Sequence, residues 1–132
     1  MAVFNGDGRL DRLCASMVMV MEGLFGLEHK YMYEIVGHSG ETDWLPFVKM
    51  GKPPRNRAER FAVVNAMADH ASFARSGDNT LSAGITAMTE IIKEQADDYF
   101  VFLVSDANLR GYGISPQDLA TALTSDRRIN AH

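Results

Sequence analysis

The feature that most constrains the fold is a run of seven residues, Tyr99–Ser105, of which the first six are apolar. A strand that is apolar on both faces is typical of the covered centre of a parallel sheet. Segments with helical spacing of apolar residues, Thr80–Gln95 and Pro116–Leu123, lie on either side of it, and Ser115 is the expected N-cap of the second. Because helices between strands imply crossover connections, we predict an α/β fold with a doubly wound parallel sheet.

The remaining segments fit the same architecture. Apolar residues recur at helical spacing over residues 9–27 and over Asn56–Ser72, which predicts two further helices. Between them, Tyr31–Val36 is rich in aromatic and β-branched residues and is predicted as a strand. A short second strand is predicted within Thr42–Val48, where Pro46 marks an edge. The predicted order is helix, strand, short strand, helix, helix, strand, helix.

Composition narrows the class of protein. The chain has 132 residues, enough for one domain, and a formal net charge of −4, without the clustered basic face that nucleic acid requires. No segment has the apolar length of a membrane span, and the first residues lack the pattern of a signal or transit peptide. The single cysteine, Cys14, cannot form an internal disulfide, which is typical of a reducing compartment. We therefore expect a cytoplasmic protein without nucleic-acid or membrane partners.

One short segment, Gly37–Glu41, suggests a serine hydrolase. A strand that leads into Gly-His-Ser is similar to the nucleophile elbow of α/β hydrolases, G-x-S-x-G. Two features disagree with that motif: Glu41 occupies the place of the closing glycine, and Thr42–Pro46 does not open the helix that would hold Ser39 on a strained turn. We favour a polar turn and keep the hydrolase as an alternative.

Two polar loops are the candidate ligand site. Ser76–Thr80 leads directly into a predicted helix, where such residues also serve as ordinary caps. Ser105–Asn108 follows the best strand, at the sheet edge where open α/β sheets bind ligands. Thr80 and Asp106 carry hard oxygen donors, which suit Mg²⁺. Zinc is not expected, because the four histidines lack metal-ligand spacing: they are His29, His38, His70 and His132.

Four segments, spread over nearly the whole chain, carry a recognisable pattern. They are Phe4-Asn5-Gly6-Asp7-Gly8-Arg9-Leu10, Ile35-Val36-Gly37-His38-Ser39-Gly40, Ser76-Gly77-Asp78-Asn79-Thr80-Leu81, and Tyr99-Phe100-Val101 through Leu103-Val104-Ser105-Asp106-Ala107-Asn108-Leu109. In this order they resemble a von Willebrand factor A domain, in particular the carboxyl-terminal domains of this family that are attached to AAA+ ATPases.

The resemblance implies a Rossmann-like parallel sheet of von Willebrand factor A type. It also implies a metal-ion-dependent adhesion site, in which the ion completes its shell with an acidic group from a partner protein. Thr80 would be the ligand from the second loop, and Asp106 the acid from the third, directly or through water. The other polar residues of the two loops would surround these ligands: Ser76, Asp78, Ser105 and Asn108.

The family's first metal-binding motif, Asp-x-Ser-x-Ser, does not occur in this sequence. By the resemblance, Met1 would stand where a methionine follows that motif in the family, and the family's last strands would follow His132. The resemblance therefore implies a single partial domain over residues 1–132, with an incomplete sheet. Because two protein oxygens are few ligands for Mg²⁺, we expect Mg²⁺ binding to be weak or absent.

The predicted function is a protein-interaction module with a partial metal-ion-dependent adhesion site. A metal-free scaffold remnant is the alternative. No G-x-x-x-x-G-K-[ST] loop occurs, so the chain is not expected to be an ATPase, and we expect no other enzyme activity. An incomplete sheet leaves open edges on Tyr31–Val36 and Tyr99–Ser105, which we expect to pair directly or with another chain, the latter giving a homodimer.

Overall fold

The computed structural model describes residues 7–74, 77, 79–105 and 109–132. These residues form a mixed α/β structure with four α-helices and two short sheets, in two compact units. The described part of the first unit is 7–37 and 45–74, and that of the second is 38–44, 77, 79–105 and 109–132. None of the helices among these residues is both long and apolar enough to cross a membrane.

The first unit contains two helices and an antiparallel pair of strands. Its elements are α1 (Arg9–Gly23), β1 (Ile35–Gly37), β2 (Leu45–Val48) and α2 (Arg57–Phe73). β1 and β2 are antiparallel, with a bulge between Ile35 and Val36. The connection between them has only seven residues, which is too short for the crossover that parallel strands require.

The core of the first unit lies where α1 and α2 pack against this strand pair. Met21 is 1 % exposed and packs with the buried side chains of Ile35 and Val48. The two helices are also joined at the rim, since Arg60 Nε lies 2.7 Å from Glu22 Oε1. Apolar burial at the centre and an ion pair at the edge therefore hold α1 and α2 together.

The second unit contains two helices and a parallel pair of strands. Its elements are α3 (Thr80–Ile91), β3 (Tyr99–Val101), a 3₁₀ helix (Leu109–Tyr112), α4 (Pro116–Leu123) and β4 (Ile129–Ala131). β3 and β4 are parallel, with Tyr99 opposite Ile129 and Val101 opposite Ala131. The core is formed by Met88 of α3, Val101 and Ile129.

The helices lie where the sequence predicts them, but the strands are shorter. Only Ile35 and Val36 of Tyr31–Val36 enter β1, and only Leu45–Val48 of Thr42–Val48 enters β2. β3 includes the first three residues of Tyr99–Ser105, and the prediction that this run is covered on both faces is wrong, since Phe100 and Phe102 are exposed. The physical reason is that each described sheet has two strands, so little partner backbone is available.

Of the two described sheets, only the one in the second unit is parallel as predicted. α4 forms the crossover between β3 and β4, as expected for a strand–helix–strand unit. β1 instead pairs with β2 and runs antiparallel, so the expected direct pairing of Tyr31–Val36 with Tyr99–Ser105 is not among the described ladders. β4 has three residues, and it lies where a next strand is expected after the helix Pro116–Leu123.

Candidate functional site

The described residues include two of the six predicted site residues. Thr80 is the first residue of α3 and is fully buried, with 0 % exposure. Ser105 lies four residues beyond the end of β3 and is exposed. The other four, which include the second proposed metal ligand, Asp106, lie outside the described residues: Ser76, Asp78, Asp106 and Asn108.

The loop of residues 38–44 packs against the start of α3, and we call this assembly the loop–α3 site. Asn79 occupies the N-cap position of α3, but its side chain makes no capping hydrogen bond. Its Nδ2 instead donates to the carbonyl oxygen of Ser39 at 2.8 Å. The residue before Thr80 therefore ties the helix start to a loop forty positions earlier in the chain.

Two glycines allow the backbone to approach closely at this site. Gly77 has φ +152°, a conformation that side-chain-bearing residues rarely adopt. A Cβ added there would lie 2.5 Å from the Cα of Gly40. Because the obstacle is backbone rather than a flexible side chain, only glycine fits at position 77 in this arrangement.

Asp43 is the acid that this site holds most firmly among the described residues. Its Oδ2 accepts hydrogen bonds from Ser82 Oγ at 2.7 Å and from Thr86 Oγ1 at 3.3 Å. Ser82 and Thr86 are four residues apart, which puts both hydroxyls on one face of α3. The hydrogen bond from Ser82, followed by weaker contributions that include Thr86, lowers the pKa of the Asp43 carboxyl below its ordinary value.

The sequence analysis did not identify Asp43. The available signal was the pair of hydroxyls at 82 and 86, which predicts a polar stripe on an otherwise apolar helix. Nothing local indicated which acid would meet that stripe, because Asp43 lies 39 residues earlier than Ser82.

Ser39 has the geometry of a polar turn rather than of a nucleophile elbow. Its backbone N–H donates to the Thr42 carbonyl oxygen at 2.7 Å, and its Oγ accepts from the Glu41 N–H at 3.3 Å. The side chain is buried, and the next regular element is the strand β2 rather than a helix. These contacts agree with the turn that the sequence favoured.

The donor set of the described residues does not by itself fit Mg²⁺. Thr80 offers one neutral hydroxyl, and the Asp43 carboxylate is engaged by two hydroxyls of α3. Nowhere in the described ranges do three or more His, Cys, Asp or Glu side chains gather as a metal site would require. A hard cation such as Mg²⁺ needs several oxygen ligands, which the described residues do not supply.

The fold and the loop–α3 site together define a mixed α/β chain in which a hydrogen-bonded loop, with Ser39 buried, packs against a helix start. Over 129 residues, 97 % of its length, the chain is 43 % identical to mouse von Willebrand factor A domain-containing protein 8. It spans 7 % of the length of that relative. No protein-family profile matches the sequence, and no solved structure matches it. The comparison therefore shows that the chain is similar to a short segment of a protein named for its von Willebrand factor A domain.

Proposed function

We propose that this chain is a protein-interaction module of von Willebrand factor A type, which binds its partner through the loop–α3 site. The observation that carries the proposal is the 43 % identity over 97 % of the chain to a protein named for that domain. The parallel strands β3 and β4, joined through α4, support a Rossmann-like sheet as the proposed fold. Attachment to an AAA+ ATPase is the proposed setting.

The proposed partner presents an acidic group to the start of α3. Helix N-termini favour negative charge, because their first N–H groups lack partners within the helix. The first turn of α3 contains no acidic residue of its own. The Asn79 side-chain amide donates a hydrogen bond to the Ser39 carbonyl, and the Asn79 side chain does not cap the helix. The Asp43 carboxylate meets this turn through the Ser82 hydroxyl rather than at the helix end, so an acidic group from outside the chain is proposed for that end. Binding of Mg²⁺ by Thr80 and Asp106, weak or absent, remains a prediction within this proposal.

The proposed module is not catalytic. The buried Ser39 hydroxyl accepts a backbone N–H, and the nearest polar cluster, Asp43 with Ser82 and Thr86, is internally hydrogen-bonded. Both features favour a rigid binding surface over an activated nucleophile. The metal-free scaffold is the second candidate, supported by the poor fit of the described donors to Mg²⁺.

An NMR titration tests the proposal. Mg²⁺ alone, a short glutamate-containing peptide alone, and both together are added to the labelled chain up to millimolar concentration. We expect peptide-dependent shifts of the amides of residues 38–44 and 79–82, strengthened by Mg²⁺ in the parent chain. Asp106→Ala should lose the Mg²⁺ effect, whereas Asp97→Ala, which removes an exposed acid elsewhere, should keep it.

Three outcomes separate the candidates. Shifts caused by the peptide but unaffected by Mg²⁺ would support the interaction module and contradict the proposed Mg²⁺ binding. No shift with any probe would favour the scaffold. If the chain hydrolyses esters and Ser39→Ala abolishes that activity, both the interaction module and the scaffold would be contradicted, and the serine hydrolase would be supported.

A further inference from the structure

A groove lies beside the turn after β2 and the start of α2, wholly inside the first unit. Its volume is about 900 Å³, which is within the size range of protein ligand sites. The apolar side chains that line it include Phe47, Val48 and Val63. Its charged lining consists of three cations and two acids: Lys49, Lys52, Arg55, Glu28 and Glu59. The groove therefore offers an occupant both apolar contact and charge.

The backbone that carries the three cations is held in place locally. Gly51 has φ +67°, and the Lys52 N–H donates to the Lys49 carbonyl oxygen at 2.9 Å, which closes a tight turn. The next two residues are prolines, whose φ angles are fixed. Beyond them, the Arg55 N–H donates to Glu59 Oε2 at 2.7 Å. Because the backbone is already ordered, little of its freedom has to be lost when a ligand binds.

Two of the three cations face each other across the turn. Lys49 and Lys52 form an antiparallel bridge, and residues paired in this way have Cβ atoms roughly 5 Å apart. Like charges directly opposite each other are destabilising. Within the described part of the chain, neither ammonium group nor the Arg55 guanidinium forms an ion pair. An anion placed between the two lysines would relieve their repulsion.

The two acids of the lining are occupied by other groups of the chain. Glu28 Oε1 accepts the Gly26 N–H at 2.9 Å, and this hydrogen bond lowers the pKa of the Glu28 carboxyl. Glu59 Oε1 accepts the Asn56 side-chain amide at 2.9 Å, while its Oε2 accepts the Arg55 backbone N–H. The acids are therefore not ion-paired with the three cations, whose charge is left for a ligand.

We propose that this groove binds an acidic peptide segment of a partner protein. A large apolar side chain of the peptide lies against the apolar lining, and its carboxylates lie beside Lys49, Lys52 and Arg55. Charge complementarity indicates an anionic occupant: acids outnumber bases 17 to 13 in the whole chain, whereas cations are in excess in the groove. The apolar lining favours a peptide over an inorganic anion, which has no apolar part to bury.

The exposure of these charges sets the expected strength of binding. All three cations are exposed, and ion pairs between exposed groups are weak and screened by salt. We therefore expect weak binding that decreases as salt is raised. This inference is independent of the proposed function, because none of the residues that line the groove belongs to the loop–α3 site.

NMR titration of the labelled chain with a short peptide, one leucine between glutamates, tests the assignment. The amides of residues 49–52 and 55 should shift. The double variant Lys49→Glu, Lys52→Glu should lose about tenfold or more in affinity. Lys30→Glu is the matched control: it reverses an exposed cation of the same unit that does not line the groove, and it should bind the peptide as the parent chain does.

A second double variant, Lys49→Gln with Lys52→Gln, removes the two charges without adding acids. It should lose affinity by about two- to fivefold for each charge removed, and it decides the test if circular dichroism shows that the charge-reversed chain is unfolded. A folded double variant that binds as tightly as the parent overturns the proposal. So does a Lys30→Glu control that weakens binding as much as the double variant.

Two further probes test the kind of ligand. The same peptide with serine in place of leucine should bind more weakly, and inorganic phosphate alone should not reproduce the shifts. If serine makes no difference, or phosphate gives the same shifts, the groove is a general anion site and the proposal is overturned. Peptide shifts confined to residues 38–44 and 79–82 would support the loop–α3 site and overturn only this inference. Shifts confined to residues 49–52 and 55 would support the groove whatever the outcome at the loop–α3 site.

Discussion

At the scale of single residues, the loop–α3 site depends on a few groups that reach across the sequence. Asp43 accepts two hydroxyl hydrogen bonds from α3, and Gly77 approaches Gly40 more closely than a Cβ permits. Disrupting either contact should lower the stability of the fold, because the Asp43 carboxylate would lose its hydrogen-bond donors or a side chain at position 77 would collide with the backbone of Gly40. Both residues are therefore good places to test the described geometry.

Asp43→Asn should lower stability near neutral pH and have a smaller effect in acid. The folded pKa of Asp43 lies below its ordinary value of 3.8, so its ionised form stabilises the folded chain above that value. The contribution is lost as pH falls through the folded pKa. Urea unfolding at pH 6 and pH 3 measures the difference from the parent. Asp97→Asn removes the same charge at an exposed position as a control, and an Asp43→Asn effect equal at both pH values would contradict the prediction.

Gly77→Ala should destabilise the chain by ~1–3 kcal/mol, since the new Cβ meets Gly40 and the residue must keep an unfavourable φ. Gly23→Ala is the matched control, because nothing lies within 4 Å of the added Cβ at the end of α1. Chemical denaturation of both variants provides the measurement. If the two substitutions have the same effect, the described approach of Gly77 to Gly40 is incorrect.

At the scale of elements, α4 relies on its start more than the other helices do. It has eight residues and none of them is buried. Ser115 Oγ accepts the Asp118 N–H at 3.1 Å, and the Asp118 carboxylate accepts the Ser115 N–H at 3.3 Å, which completes a capping box. Since α4 connects β3 to β4, this local motif supports the parallel pairing of the second unit.

Ser115→Ala should cost about 1 kcal/mol, as loss of a serine N-cap usually does. Thermal unfolding followed by circular dichroism measures this change. Ser16→Ala is the control, because Ser16 donates only to the Arg12 carbonyl within α1, and its loss should change stability by a few tenths of a kcal/mol. A Ser115 variant as stable as the control would show that the capping box does not limit α4.

At the scale of the whole molecule, the described chain has two hydrophobic cores, one in each unit. The first is centred on Met21 and the second on Met88. Each is small, so a single methionine provides a large share of its buried volume. Methionine suits such sites because its unbranched side chain fills irregular space.

Met21→Ala should lower the free energy of unfolding by ~2–5 kcal/mol, because it leaves a cavity in the first core. Met19→Ala, two residues away on α1 and 74 % exposed, should change it by less than ~0.5 kcal/mol. Urea unfolding of the two variants under identical conditions tests the contrast. Equal losses would mean that α1 buries a different face from the one described.

Local sequence was sufficient to predict the helices and a mixed α/β structure, but not the arrangement of the sheets. The start of α4 followed from Ser115 and Pro116, and its bounds are those predicted. Helical spacing also located α1, α2 and α3 to within a few residues at each end. These predictions succeed because caps and apolar periodicity act over three or four residues and do not depend on distant partners.

Strand length, strand direction and the acid of the site were decided by the tertiary structure. Tyr99–Ser105 contains a strong strand signal, but how much of it forms a ladder depends on β4, nearly thirty residues further on. β2 runs antiparallel to β1 because of where the chain turns, and Asp43 contacts α3 because the loop of residues 38–44 reaches it. The sequence alone determined which segments are helical or extended and that Thr80 begins a helix. Pairing between distant segments decided the rest, since a strand has no hydrogen-bond partners of its own.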